Sequence, residues 1–133
     1  IVGNKWPHKE IQITSNLKKN HLRSGERHVI ETPDGKQSIT KFKRLKSNQK
    51  VCLLECTLLT GRTHQIRVQV SNEGHPIIGD KKYGQVELNN FYSKRGIKRM
   101  LLHAKEVNFP ELDIFCSAEE PLLFKEILSN DGT

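Results

Sequence analysis

The sequence predicts an α+β fold, a mixed and mostly antiparallel sheet with few helices. Three observations carry that prediction. Segments with a two-residue apolar period recur between turn signals. Pro33-Asp34-Gly35 spells out a hairpin turn between two of them. Only two stretches show a helical period, too few to cover both faces of a parallel sheet. With 133 residues the chain is long enough for one ordinary core and too short for two comfortable domains. Residues 1–133 are therefore read as one domain.

Taken in order, residues 1–25 look polar and irregular, with Trp6-Pro7 and a cationic run from Lys18 to Arg23 that ends at Gly25. Residues 26–31 form a first strand of the hairpin and residues 38–45 the second. Lys41, Lys43, Arg44 and Lys46 suggest that this second strand has one wet, cationic side. Ser47-Asn48-Gln49 marks another turn, and residues 51–59 have the clearest period of two. There Cys52, Leu54, Cys56 and Leu58 face one way, with Glu55 and Thr57 on the other side.

A helix is expected from about Thr63, stopping at Gly74, a natural C′ residue. Ile66 and Val70, four apart, would form its buried stripe. Arg67 lies on the flank of that stripe, where a half-sunk guanidinium wants a carboxylate or phosphate in its fork. No neighbouring acidic residue obviously supplies one. Residues 75–84 read as a loop punctuated by Pro76, Gly79 and Gly84. Residues 85–98 read as a polar excursion ending in Lys94, Arg95 and Lys98, next to Arg99. Residues 100–109 and 112–116 are expected as strands, and residues 119–128 as a closing amphipathic helix with acidic residues in its first turn.

The formal charge of +7 is unevenly placed. Residues 1–50 hold 12 of the 22 Lys and Arg but only 4 of the 15 Asp and Glu. Such a skew points to a polyanion across one side of the fold, with RNA or DNA the leading candidate. No run approaches the roughly 18 apolar residues of a membrane span. The first residues lack both a start methionine and the layout of a signal peptide, so the chain is expected to be a piece of something longer. Three cysteines form no even framework, which points to reduced thiols in a cytoplasmic compartment.

Metal and nucleophile chemistry find little support. Cys52 and Cys56 would lie on one strand face but about 13 Å apart, whereas a zinc ion needs each sulfur within about 2.3 Å. His64, His75 and His103 lack the spacing of a helix-borne metal pair. The thiols sit in apolar strands without a neighbouring base, a setting that raises thiol pKa. Gly74 and Gly79 have the separation of a phosphate-binding loop, but Asp80-Lys81 replaces the required Lys-Ser/Thr.

What remains is the stretch Thr60-Gly61-Arg62-Thr63-His64-Gln65-Ile66-Arg67-Val68, a strand-to-helix junction carrying two arginines and a histidine. Backbone N–H groups and cations can converge there on one anionic group. Gly74-His75-Pro76-Ile77-Ile78-Gly79-Asp80, Tyr83-Gly84 and Leu101-Leu102-His103-Ala104 follow it. In order and spacing, the series resembles the RluA-type pseudouridine synthases over nearly all of residues 1–128. Leu22-Arg23-Ser24-Gly25-Glu26-Arg27 and Trp6-Pro7 look like the large-subunit ribosomal RNA branch of that family, type C.

The resemblance implies an enzyme that flips a uridine out of RNA, breaks its glycosidic bond and rejoins the turned uracil through carbon. It implies no metal and no organic cofactor. An aspartate does the chemistry, a tyrosine stacks near the base, and an arginine or lysine pairs with the aspartate. By motif position that arginine is Arg67. Ile66 and Leu102 match apolar positions lining the base pocket, and Arg62 and His64 would meet RNA phosphate. The family's His-Arg-Leu-Asp motif does not occur in these 133 residues, and its tyrosine motif is expected just before Ile1. Tyr83 and Tyr92 do not match that position. Gln69 stands where histidine usually follows Arg-Val.

The expectation is thus the C-terminal half of a pseudouridine synthase acting on ribosomal RNA, inactive alone and able to self-associate through exposed strand edges. The rival from another class is a non-catalytic RNA-binding module that uses the basic first half and the Arg62 helix start.

Overall fold

A computed structural model of the chain describes residues 1–3, 5–21 and 25–129. Leu22-Arg23-Ser24, which close the cationic run and open the branch motif, lie outside the described residues. The strands β1 (Val2–Gly3), β2 (Glu10–His21), β3 (Arg27–Glu31), β4 (Lys36–Ser47) and β5 (Val51–Leu58) form one sheet. Its order is β1-β5-β4-β2-β3, and every neighbouring pair is antiparallel. Helices α1 (Gln65–Asn72), α2 (Val86–Ser93) and α3 (Leu122–Ser129) pack around it, and β6 (Glu106–Phe109) pairs with β7 (Ile114–Ser117) as a separate ribbon. The α+β architecture with a mostly antiparallel sheet is as expected.

Several local expectations are corrected. Residues 1–25 are not irregular, because β2 runs twelve residues through them and sits between β3 and β4. The strands flanking Pro33-Asp34-Gly35 therefore do not pair as the expected hairpin, since each bonds to β2 instead. Ile13, Ser15 and Leu17 of β2 face inward while Gln12, Thr14 and Asn16 face water. The Ser, Thr and Asn content hides a period of two that Ile and Thr favour. Residues 85–98 contain a helix, α2, anchored by the buried Tyr92. Residues 100–105 are not strand, and α3 starts too late to hold acidic residues in its first turn.

The supposed cationic side of β4 is also more mixed. The register brings Lys43 opposite Glu10 of β2 and Glu55 of β5. An irregularity between Arg44 and Lys46 then breaks the alternation, and Arg44 turns back to donate to the Trp6 carbonyl.

Core packing lies on both sides of the sheet. On one side Val2, Trp6, Ile13, Phe42 and Cys52 pack against Val70 of α1 and Ile77. On the other, Val51 joins Ile78, Tyr92 and Leu101 beneath Phe124 and Ile127 of α3. Burying such side chains stabilises by roughly 1.5–3 kcal/mol each. The chain leaving α1 runs back along β1: Gly3 N–H donates to the Pro76 carbonyl, and Leu101 N–H donates to that of Ile78. Residues 76–80 and 99–102 are thereby laid side by side at the end of α1.

Candidate active site

Helix α1 is set on the sheet by polar bonds rather than by a purely apolar stripe. Gln65, Val68, Gln69 and Val70 are its buried residues, and Ile66 is only half-buried. The expected Ile66–Val70 stripe is therefore rotated. Gln69, 1% exposed, accepts from Thr40 Oγ1 at 2.5 Å and donates to the carbonyls of Ile13 and Ser38. Gln65 donates to the Ile39 carbonyl and to Thr40 Oγ1, and accepts from Thr60 Oγ1 and from Arg62 N–H. Every polar end of the two glutamines has a partner, which a buried amide requires. The departure at Gln69 is thus the pin that fixes the helix rotation, and with it the direction of Arg67.

The helix closes as expected. Gly74 adopts φ +80, its N–H donates to Ser71 and the His75 N–H donates to Val70, a Schellman ending. The start is unusual. His64 holds φ 53, ψ 22, in the left-handed region that a β-carbon disfavours.

Arg67 lies where a half-sunk guanidinium was expected, with 18% of its side chain exposed. The expectation that no nearby acid meets it is overturned. Asp80, whose side chain is fully buried, takes the fork: Nε donates to Oδ2 at 2.9 Å and Nη2 to Oδ1 at 2.8 Å. Asp80 closes the Gly74–Asp80 motif, 13 residues along the chain from Arg67. Its Oδ1 also accepts the backbone N–H groups of Lys82 and Tyr83. Burial works to raise the Asp80 carboxyl, but the bonds from Arg67, Tyr83 and Lys82 outweigh it and hold the group below the ordinary carboxylate range. The bonds to Asp80 raise Arg67 above its usual value.

The loop itself is braced. Asn89 of α2 accepts from Gly79 N–H and donates to the Asp80 carbonyl. Gly79 has φ +84, and a β-carbon there would run into the carbonyl of Arg99. Sequence reasoning missed Asp80, Tyr83 and Asn89 as members of the site. A signal existed for Asp80, since an arginine predicted to be half-sunk had to find an acid.

Tyr83 stands at the centre. Its ring lies 5.0 Å from the Arg67 guanidinium, 5.5 Å from the His64 ring and 4.9 Å from that of His28. Its hydroxyl accepts the Val29 N–H and pairs with His64 Nδ1, both at 2.8 Å. Burial, with Arg67 and Lys82 adding to it, lowers the His64 pKa and so favours the neutral imidazole.

Ile66 and Leu102 are both half-buried, and both pack against the core cluster that holds Val2, Trp6 and Phe42. Arg62 is not drawn into the group. It is exposed, and its Nε donates to the Gln37 carbonyl on β4. Cys56 is a poor nucleophile, its thiol pushed up to about 11 by burial. Among the described residues no three His, Cys, Asp or Glu side chains are grouped to hold a metal ion. Likewise, no helix of the described residues is long and apolar enough to cross a membrane.

The site thus joins a guanidinium braced by Asp80 to an imidazole held by the Tyr83 hydroxyl, with the Tyr83 ring between them. The model of one family, RNA pseudouridylate synthase, matches residues 2–72, and the chain belongs to that family. A ribosomal large subunit pseudouridine synthase C of Buchnera aphidicola from Schizaphis graminum is 40% identical over 110 residues, 82% of this chain and 35% of that protein. The protein of that name from Buchnera aphidicola of Baizongia pistaciae is 38% identical over 135 residues, 98% of this chain and 43% of its own length. Its Escherichia coli K12 counterpart is 38% identical over 111 residues, 82% of this chain and 35% of that one. The chain thus spans well under half the length of these relatives.

Among solved structures, human RNA Pseudouridylate Synthase Domain Containing 1 superposes with a TM-score of 0.74 at 24% identity. It covers 90% of this chain and 52% of its own. Human RNA Pseudouridylate Synthase Domain Containing 4 gives 0.68 at 18% identity, covering 96% and 58%. At such identities the likeness speaks for the fold alone.

Proposed function

We propose that this chain supplies the C-terminal half of a pseudouridine synthase catalytic domain, and that the longer protein isomerises uridine to pseudouridine in large-subunit ribosomal RNA. The names of its relatives support the reaction and the substrate. One observation carries the assignment of Arg67. Asp80 occupies its Nε and Nη2, and among the described residues Nη1 has no hydrogen-bond partner. That edge is the one left for a second carboxylate, the aspartate that acts on the base.

Asp80 is not that aspartate. Its side chain has no exposed surface and accepts four hydrogen bonds, so it cannot reach a sugar or a base. The reacting aspartate is therefore assigned to another part of the longer protein. Ile66 and Leu102 form the dry side of the slot for the flipped base. Arg62 and His64 meet the RNA backbone, and the basic surface of residues 1–50 adds sequence-independent attraction. The reaction uses no metal or organic cofactor and takes place in the cytoplasm. Residues 1–133 alone are inactive, and self-association follows from the open edge at β3.

The test compares the full-length protein with residues 1–133 on large-subunit ribosomal RNA, mapping pseudouridine in both. Turnover by the full-length protein and none by the chain is the expected result. Turnover by residues 1–133 alone overturns the half-site reading. RNA binding without turnover by the full-length protein favours the non-catalytic binding module.

A further inference from the structure

We infer that Tyr83 is a positioning residue, which fixes His64 as a neutral imidazole presenting its Nε2–H to the RNA. The inference rests on the reading of His64 as an RNA contact and adds how that contact is prepared.

The argument is one of protons. The Tyr83 hydroxyl has one proton and accepts the Val29 N–H at 2.8 Å. Among the described residues, His64 Nδ1 at 2.8 Å is the acceptor placed to receive that proton. Nδ1 then carries no hydrogen, and in a neutral ring the hydrogen must sit on Nε2. The neutral Nδ1–H tautomer would leave the Tyr83 hydroxyl proton without an acceptor among the described residues, and protonating both nitrogens would set a new cation beside Arg67 and Lys82, with Asp80 already committed to Arg67. Among the described residues Nε2 makes no hydrogen bond, so its N–H remains available for an acceptor oxygen.

Two further observations show a position built with care. His64 pays for a left-handed backbone that glycine would adopt freely, yet a full imidazole is kept there. Tyr83 is itself tied down, since its carbonyl accepts from Ser71 Oγ at 2.7 Å and its N–H is held by Asp80. One loop thus aims a side chain of α1 and the residue that caps its start: Asp80 holds Arg67, and Tyr83 holds His64. Recognition by an N–H donor rather than by a cation suits a phosphate or carbonyl oxygen of the nucleotide.

The experiment is a double-mutant cycle in the full-length protein: Tyr83→Phe, His64→Ala and both together, read as KM and kcat on large-subunit ribosomal RNA. Phenylalanine keeps the ring against Arg67 and removes only the hydroxyl. Tyr83→Phe should raise KM about fivefold, the factor of one lost hydrogen bond, with kcat within about twofold. In the His64→Ala background the same change should do nothing further. An equal loss in both backgrounds overturns the inference, because Tyr83 would then act through something other than His64. A second reading comes from ¹⁵N NMR of histidine-labelled protein: His64 should show a bare Nδ1, lost in Tyr83→Phe. A proton on Nδ1 of the unmutated protein overturns the inference. Wild-type protein without turnover counts against the proposed function, and the NMR measurement still decides this one.

Discussion

Arg67 and Asp80 meet in a two-bond fork, Nε to Oδ2 at 2.9 Å and Nη2 to Oδ1 at 2.8 Å, across the gap between α1 and the loop that follows it. The pair is internal to the chain, so the arginine is aimed before any substrate arrives. Breaking one partner strands the other in a half-buried setting. Asp80→Ala should cost about 3 kcal/mol of unfolding free energy. Asp80→Asn should cost less, because an amide oxygen still accepts from Lys82 and Tyr83. Urea denaturation checks both, and a loss under about 1 kcal/mol for the alanine variant would count against the brace.

The same pair sets an acid limit. Asp80 titrates below its free value in the fold, so its contribution is complete above about pH 4, the unfolded carboxyl value. It disappears as pH falls through the depressed folded value. The stability gap between wild type and Asp80→Asn should be constant from pH 7 to about 5 and should close below pH 4. A gap unchanged at pH 3 would contradict the assignment.

Gly79→Ala tests the seating of the loop. The position needs φ +84, and a methyl there meets the Arg99 backbone, which has no flexible end to move aside. A cost of at least about 2 kcal/mol is expected, from strain and displacement together. Activity of the full-length protein should fall further than stability explains, because Asp80 moves with the loop. Thermal unfolding and turnover, measured on the same samples, give the comparison.

Much of this was legible beforehand, and the failures have physical causes. The two strands on either side of Pro33-Asp34-Gly35, β5, the closing helix and the Gly74 ending are all announced by short-range signals: turn residues, a period of two, a helix stop. The pairing of the first two is not, because β2 inserts between β3 and β4 and takes the ladder bonds of both. Strand β2 was missed because Ser15, Asn16 and Lys19 make a half-buried strand resemble a loop, and only its pairing with β3 and β4 stabilises it. Arg67 falls on the flank of α1, as its spacing predicts, but no local pattern names Asp80 as its acid. The 13-residue separation from Asp80 is closed by the backbone bonds of residues 76–78 with residues 1–3, which no local pattern reveals. The stripe on α1 is rotated from the Ile66–Val70 expectation because two glutamines take buried places on it. Gln65 and Gln69 are buried because β4 presents carbonyls and the Thr40 hydroxyl for them to bond.

Gln69→Leu follows from that last point. Leucine fills the volume but leaves the Thr40 hydroxyl and the Ser38 carbonyl without their partner. Each unsatisfied group costs about 1–3 kcal/mol, so a loss of roughly 2–4 kcal/mol is expected despite the gain in hydrophobicity. Gln69→His, which retains one donor and one acceptor, should lose less than half as much. A stabilised leucine variant in chemical denaturation would refute the pin.

The most direct measurement is single-turnover pseudouridine formation on large-subunit ribosomal RNA by the full-length protein carrying Arg67→Met, with RNA affinity recorded alongside. Methionine fills the space of the arginine stem but offers no donor to a second carboxylate. The expected result is a rate lower by at least about a hundredfold, with RNA binding within a few-fold of wild type. A folded Arg67→Met protein that forms pseudouridine at the wild-type rate would contradict the account.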